Sequence, residues 1–166
     1  GETSFDWKTL VSNKDKEIAR LEGLYRRGLE NAGAEIIESR AVIEGPNTVR
    51  IVKDGRTVTA RCILIATGGR PNPHHALPGS EHAITSNEAF NLEKLPKSIL
   101  IAGGGYIAVE FANIFHGLGV ETTLMYRGLE ILGRFDMDLR RGLHKAMVDK
   151  GINILTQTTS SGIEKR

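Results

Sequence analysis

A glycine-rich turn between an apolar strand and a helix most constrains what this chain can fold into. Residues Ser98–Ala102 form a run that predicts a strand, and three glycines, Gly103, Gly104 and Gly105, follow it directly. In the pattern G-x-G-x-x-A, Gly103 permits a tight turn, Gly105 lets a pyrophosphate approach the backbone, and Ala108 lets helix and strand pack closely. The free amides at the start of the helix would then face the phosphates. This arrangement predicts a dinucleotide-binding turn, and the competing interpretation is a glycine turn that serves packing alone.

Strand and helix patterns alternate after this turn. Helices are expected over Tyr106–His116 and Asp138–Lys150, and further strands over Val120–Tyr126 and Ile152–Leu155. Alternation at this spacing predicts an α/β fold with a Rossmann-like, doubly wound parallel sheet. Because such a sheet normally continues beyond its third strand, we expect the sequence to end inside this domain.

The first part of the chain predicts one long helix followed by short strands. Apolar residues recur at helical spacing over residues 7–33, and Gly33 is placed to end the helix. The period then shortens, and turns at Gly45-Pro46-Asn47 and Asp54-Gly55 predict an antiparallel β-meander. The continuous apolar run Cys62–Ala66 predicts a buried parallel strand. The predicted meander strands are Ala34–Ile37, Ala41–Ile43, Thr48–Val52 and Thr57–Ala60.

A linker is predicted in the middle of the chain. Residues 67–73 contain glycines and prolines that break the preceding strand, and the stretch up to Gly79 has no periodicity. His74 and His75 fall in this stretch, and we interpret them as solvated. A short helix is expected over Ser86–Phe90, capped by Ser86. We therefore predict two domains, one over residues 1–69 and one over residues 70–166.

Charge and cysteine content limit the class of protein. The formal net charge is +2, from 22 basic and 20 acidic residues, which predicts neither a nucleic-acid nor a membrane partner. No apolar run approaches the roughly 20 residues needed to span a bilayer. Cys62 is the only cysteine, which excludes an internal disulfide framework and favours a reducing, cytoplasmic location. Its place in an apolar run predicts an inert core thiol, and no metal site is predicted.

The end of the second predicted strand bears on the choice of nicotinamide cofactor. Enzymes that use NAD usually place Asp or Glu there, to bind the ribose 2′-hydroxyl. Here the strand ends in Tyr126 and Arg127, with no carboxylate at its tip, and Arg134 follows. A guanidinium group suits a phosphate, so these arginines predict the 2′-phosphate of NADPH. The alternative is that both are ordinary surface arginines.

Several segments resemble the pyridine nucleotide–disulfide oxidoreductases, and over nearly the whole chain the resemblance is to the glutathione reductases within that superfamily. The segment Arg20–Tyr25 is similar to the interface helix of that family, and Leu124–Arg127 with Arg134–Asp136 is similar to its 2′-phosphate segment. The other matching segments are Ile63–Pro71, Leu77–Gly79, Ile84–Ser86 and Gly103–Ala112.

The resemblance implies an enzyme of redox homeostasis. In this family a homodimer uses NADPH to reduce FAD, FAD reduces an active-site disulfide, and the resulting dithiol reduces glutathione disulfide. The family's Cys-x-x-x-x-Cys pair, its flavin-binding glycine turn and its His–Glu acid–base pair have no counterpart in these 166 residues. We therefore expect a full-length parent enzyme and an inactive fragment, because disulfide exchange needs an attacking thiolate and a resolving partner.

The resemblance also implies roles for individual residues. Tyr106 would cover the flavin and swing aside for the nicotinamide, although an ordinary helix-face aromatic is the alternative. Glu110 would also pair with a lysine of the flavin domain. Tyr25 would contact glutathione, which is compatible with helix packing. The NADPH groove would be lined by Gly103, Gly104, Gly105, Ile107, Ala108 and Glu110, with Arg127 and Arg134 on the 2′-phosphate, and FAD would touch Ala41, Thr67 and Gly68.

The chain departs from the family pattern in its 2′-phosphate segment. The second 2′-phosphate arginine of the family commonly sits one place earlier, where this chain has Gly133, so Arg134 must reach from a different point.

The alternatives are a sister enzyme, such as a trypanothione, mycothione or mercuric reductase, or a non-catalytic dinucleotide-binding module. Lipoamide dehydrogenase is a further alternative, but it would want a carboxylate near Tyr126 and a glycine in place of Ala108.

Overall fold

A computed structural model describes residues 4–72 and 76–165 of the chain. These described residues divide into two compact units, one within residues 12–70 and the other made of residues up to 11 and from 71 onward. The assignment of an FAD domain and an NADPH domain to the two parts of the chain remains a prediction. The α-helices of the chain are α1 (Trp7–Asn31), α2 (Ser86–Ala89), α3 (Tyr106–Gly117) and α4 (Met137–Asp149). Its strands are β1 (Ala41–Gly45), β2 (Thr48–Ile51), β3 (Thr57–Thr59), β4 (Ser98–Ala102), β5 (Glu121–Met125) and β6 (Asn153–Leu155).

The first helix ends in a Schellman motif. Gly33 adopts a left-handed conformation with φ +76°, and its amide donates a hydrogen bond of 3.0 Å to the carbonyl of Glu30. The amide of Ala34 donates to the carbonyl of Leu29, also at 3.0 Å. These two bonds satisfy carbonyls that the helix end would otherwise leave unpaired, and the left-handed residue favours glycine. The prediction that Gly33 ends the helix is therefore confirmed.

Three short strands form an antiparallel sheet in the order β1–β2–β3. Ala41 lies opposite Ile51, and the register shifts between Ile43 and Gly45 next to the turn that leads into β2. The predicted meander is confirmed for these three strands. The prediction of a strand over Ala34–Ile37 is wrong, because those residues pair with no strand among the described residues.

The prediction of a buried parallel strand over Cys62–Ala66 is also wrong. These residues form no strand, the Cys62 side chain is exposed, and Leu64 and Ile65 are 89% and 68% exposed. A buried parallel strand needs neighbouring strands and covering helices, and no strand of the described chain pairs with this run. Cys62 is therefore not a core thiol here.

The second sheet is parallel and has the order β4–β5–β6. Ser98 lies opposite Glu121 and Ala102 opposite Met125, and Thr123 lies opposite Asn153 on the other side of β5. Helices α3 and α4 connect the strands, so the predicted α/β alternation and fold class are confirmed. The main core packs these helices on the sheet, and its buried members are Val109, Ala112, Leu124, Ile131, Met147 and Ile152.

A second, aromatic core contains other residues of α3. Phe115 is 1% exposed and packs with Phe111 and Val120. The ring of Trp7 stacks on Phe115 with centroids 6.4 Å apart, and its indole nitrogen donates a hydrogen bond of 2.7 Å to the carbonyl of Leu92. The first turn of α1 is thereby fixed in the same unit as the parallel sheet.

The short helix α2 forms where predicted but is capped by a different residue. Thr85, not Ser86, is the N-cap: its hydroxyl accepts from the amide of Asn87, and its own amide donates to the Glu88 carboxylate at 2.7 Å. This reciprocal capping box satisfies two amides at once. His74 and His75 lie outside the described residues, so their predicted solvation remains untested.

Candidate functional site

The turn from β4 to α3 is closed by Gly103 and Ala108. Gly103 has φ +151°, and its amide donates a hydrogen bond of 2.9 Å to the carbonyl of Met125 in the neighbouring strand. A side chain at Gly103 would place its Cβ only 3.3 Å from the Cβ of Ala108. The backbone therefore turns sharply at Gly103, and the small side chain at residue 108 lets α3 start close to the strand.

Gly105 leaves the start of α3 open. It is the N-cap residue, with φ −84° and ψ 177°, and no side chain among the described residues caps the helix there. A Cβ on Gly105 would meet nothing within 4 Å. The first amides of a helix lack partners within the helix and carry partial positive charge, so this open end can receive an anion.

Gly104, in contrast, lies directly against the ring of Tyr126. Gly104 is buried, and a Cβ there would overlap the Cγ and Cδ2 atoms of that ring. Tyr126 directly follows β5 and extends its pairing with β6, since its amide donates to the carbonyl of Leu155 at 2.8 Å. The strand-end position that holds a carboxylate in NAD enzymes thus holds an aromatic ring packed against the glycine turn.

The loop between β5 and α4 wraps this ring. Added Cβ atoms at Gly128 and Gly133 would both contact Tyr126, and the one at Gly133 would lie 3.2 Å from the tyrosine hydroxyl. The amide of Leu132 donates a hydrogen bond of 2.6 Å to the carbonyl of Gly104, which ties the loop to the turn. A side chain at residue 133 would therefore crowd the tyrosine.

The two predicted phosphate-binding arginines flank these glycines. Arg127 precedes Gly128, and Arg134 follows Gly133. Both side chains are exposed, and neither forms an ion pair or a hydrogen bond with another described residue. Their guanidinium groups are consequently not committed to structural partners within the described part of the chain.

The first turns of α3 present the other predicted residues of this site. Tyr106 is 61% exposed and follows the open N-cap directly, Ile107 is 46% exposed, and Glu110 is exposed one turn further along. These three side chains are therefore accessible next to the open start of α3.

The remaining predicted site residues lie in the unit of residues 12–70. Ala41 is exposed at the start of β1, and Tyr25 is 74% exposed on α1. Thr67 and Gly68 are exposed in an irregular segment, where Gly68 has φ +68°. Neither the sequence pattern nor the resemblance pointed to Tyr126 as a packing centre, although the glycines in its loop were a visible signal.

Among the described residues, no helix combines the length and apolar character that crossing a membrane requires. The same residues contain no group of three or more His, Cys, Asp or Glu side chains arranged to hold a metal ion.

Comparison with known proteins identifies the family. Residues 2–166 match the model of the pyridine nucleotide-disulphide oxidoreductases. The chain belongs to this family. A glutathione reductase of Burkholderia cepacia is 44% identical over 164 residues, which cover 99% of this chain and 36% of that protein. A glutathione reductase of Nostoc sp. is 42% identical over 165 residues, covering 99% of this chain and 35% of that protein.

A plant relative is similar over the same part of the chain, and a solved structure shares its fold. The chloroplastic/mitochondrial glutathione reductase of Pisum sativum is 40% identical over 164 residues, covering 99% of this chain and 29% of that protein. The HOCl-induced flavoprotein disulfide reductase RclA of Escherichia coli, solved as a Cu(II) complex, shares the fold with a TM-score of 0.85 at 23% identity. That match covers 98% of this chain and 38% of that structure. The chain spans about a third of the length of the three glutathione reductases that it matches.

Proposed function

We propose that this chain supplies the NADPH-binding region, and an adjoining part of the FAD-binding region, of a disulfide reductase that acts on glutathione disulfide. The observation that carries the proposal is the open glycine turn beside a strand tip with no carboxylate. Two arginines flank the loop at that tip and have no partners among the described residues. The glutathione reductases at 40–44% identity support this choice of substrate.

The geometry suits a dinucleotide phosphorylated on its ribose. The pyrophosphate would lie over Gly105, where no side chain blocks the first amides of α3. Gly103 and Ala108 shape the turn, and Ile107 and Glu110 would complete the groove. Gly104 would contribute through its backbone alone, because the ring of Tyr126 occupies the space that a side chain there would need. The 2′-phosphate would be held by Arg127 and Arg134, whose planar, permanently charged groups bind phosphate oxygens in pairs.

In this proposal the chain's own residues bind, orient and shield. When bound, NADPH supplies a hydride, and FAD carries the electron pair onward to a disulfide. Tyr106, exposed at the mouth of the turn, would cover the flavin until the nicotinamide arrives. Glu110 would support that site from the same face of α3, and Ala41, Thr67 and Gly68 would contact FAD.

The proposal extends to the assembly and its location. Tyr25 would contact glutathione from α1, and the same helix would pair two subunits in a homodimer. Since Cys62 is the only cysteine of these 166 residues, the redox-active pair must come from other residues of the full-length protein. The presence of only one cysteine, without an internal disulfide framework, is compatible with a reducing, cytoplasmic location.

The proposal is tested by replacing Arg127 with methionine in the full-length protein. Because a hydrogen bond to a charged group contributes about 1.5–3 kcal/mol, Arg127→Met should raise the KM for NADPH roughly ten-fold or more. The KM for NADH should hardly change, since NADH lacks the 2′-phosphate. Steady-state assays with glutathione disulfide and each nicotinamide measure this contrast.

A matched control is Arg141→Met, which removes an exposed arginine of α4 outside the loop. This variant should leave both KM values unchanged. Equal losses for NADPH and NADH in Arg127→Met would contradict the assignment. Failure of the full-length protein to bind flavin or to reduce glutathione disulfide would favour a non-catalytic module or a sister reductase instead.

A further inference from the structure

The loop between β5 and α4 is held at its centre by one arginine of α4. The Nε atom of Arg140 donates a hydrogen bond of 2.8 Å to the carbonyl of Ile131, and Nη2 donates one of 2.8 Å to the carbonyl of Glu130. Two bonds from one planar group fix the orientation of two consecutive peptide units. Ile131 is fully buried in the main core, so these two hydrogen bonds lie where the loop is anchored.

A contact between two side chains also joins α4 to the centre of the loop. The Nδ1 atom of His144 lies 2.7 Å from a carboxylate oxygen of Glu130, and the two side chains are only 22% and 19% exposed. His144 lies four residues after Arg140, so both project from one face of α4. That face therefore holds the loop through its backbone and through a side chain at adjacent points.

Leu132, which follows Ile131, connects the centre of the loop to the glycine turn. Leu132 has φ +54°, a left-handed conformation that a leucine adopts only when surrounding contacts impose it. Its amide donates to the carbonyl of Gly104 at 2.6 Å. Residues 130–132 are thus fixed between α4 and the turn, whereas Arg127 and Arg134 at the two ends of the loop have no partners among the described residues.

We infer that Arg140, together with the Glu130–His144 pair, is a positioning residue for the choice of cofactor. It holds the centre of the loop so that Arg127 and Arg134 are oriented toward one 2′-phosphate before the cofactor binds. A preorganised pair of arginines avoids the cost of ordering two long side chains and their loop on binding. The inference rests on the proposed function. In it, Arg140 and the Glu130–His144 pair affect the choice of cofactor through the loop and not through contact with the cofactor.

The test uses two ligands that differ only in the 2′-phosphate. Binding of adenosine 2′,5′-bisphosphate and of 5′-AMP to the full-length protein is measured by calorimetry for the wild type and for Arg140→Lys. Lysine keeps the charge but cannot bridge two carbonyls as a planar fork does. We expect Arg140→Lys to weaken binding of the bisphosphate about ten-fold, and to change 5′-AMP binding by less than about two-fold. Arg141→Lys, at the exposed neighbouring residue, should bind both ligands as the wild type does.

A second variant keeps the inference testable if Arg140→Lys folds poorly. His144→Leu removes the side-chain pair but leaves both Arg140 bonds in place, so we expect a smaller loss that is again confined to the bisphosphate. Equal loss of both ligands, or unchanged bisphosphate binding in both variants, would overturn the inference. If the wild type itself does not distinguish the two ligands, the proposed function fails. If the wild type discriminates and both variants discriminate equally well, the positioning role alone fails.

Discussion

Adjacent glycines at the start of α3 differ in what a methyl group would meet. At Gly104 it would overlap the ring of Tyr126, and at Gly105 it would enter open space. We predict that Gly104→Ala lowers the free energy of unfolding by roughly 1–3 kcal/mol, because a packed ring must move. Gly105→Ala should change it by less than about 0.5 kcal/mol yet weaken NADPH binding strongly, since its methyl group lies where the pyrophosphate approaches. Urea unfolding and calorimetry on the two variants separate these effects.

The double variant Gly104→Ala/Tyr126→Ala provides the control for this contrast. If overlap with the ring is the cause, removing the ring should make the methyl group at residue 104 cost less than it costs in the wild type. Normal NADPH binding by Gly105→Ala would show that the turn does not approach a pyrophosphate.

The sequence predicted the roles of single residues only where they depend on near neighbours. Gly103 and Ala108 are five residues apart, and the motif already relates them. The contact of Gly104 with Tyr126 joins residues 22 positions apart across two strands. Such a contact depends on strand register, which the pattern of residues did not specify.

The capping box of α2 makes one element sensitive to acid. Hydrogen bonds from the Thr85 hydroxyl and backbone amide hold the pKa of the Glu88 carboxyl below its ordinary value. Because the pKa of Glu88 is lower in the folded chain than in the unfolded chain, its ionised carboxylate stabilises the helix start at pH values above its unfolded-state pKa. This stabilisation is lost as the pH falls through the folded-state pKa of Glu88. We predict that the amide resonances of Thr85 and Asn87 shift together at a pH below the ordinary glutamate pKa.

Nuclear magnetic resonance over an acid titration measures this transition. Glu88→Gln should abolish it, because the amide side chain has no proton to gain in this range. A shift at the ordinary glutamate pKa in the wild type would contradict the lowered value. Exposed Glu93, which follows the helix, offers a matched control as Glu93→Gln, and this variant should keep the transition.

At the scale of elements, helices and strands with neighbours nearby in sequence were predicted well. The parallel strands and their helices were predicted from short strand-like runs such as Ser98–Ala102 and from the helical segments that separate them, which each segment shows in its own residues. Ala34–Ile37 and Cys62–Ala66 failed because a strand exists only with a partner, and no described strand pairs with either. The cap of α2 was misplaced by one residue, since Thr85 and Ser86 are both suitable caps and only the fold distinguishes them.

At the scale of the whole molecule, one cysteine limits what these 166 residues can do alone. Reduction of a disulfide by thiol exchange needs an attacking thiolate and a resolving thiol. We predict that the purified chain, with FAD added, oxidises no NADPH when glutathione disulfide is supplied. The measurement is the absorbance of NADPH over time, with the full-length protein as the positive control. Turnover by the isolated chain, free of any host reductase, would place the chemistry in residues other than those proposed.

The position of Trp7 has a practical consequence for these measurements. It is the only tryptophan in the chain, its indole nitrogen donates a hydrogen bond to the carbonyl of Leu92, and its ring stacks on Phe115 of α3. Its fluorescence emission therefore reports on the unit that contains the glycine turn and not on the antiparallel sheet. Unfolding of that unit exposes the indole to water and shifts the emission to longer wavelengths. The chain thus carries an intrinsic optical probe for one of its two units, and no dye need be attached.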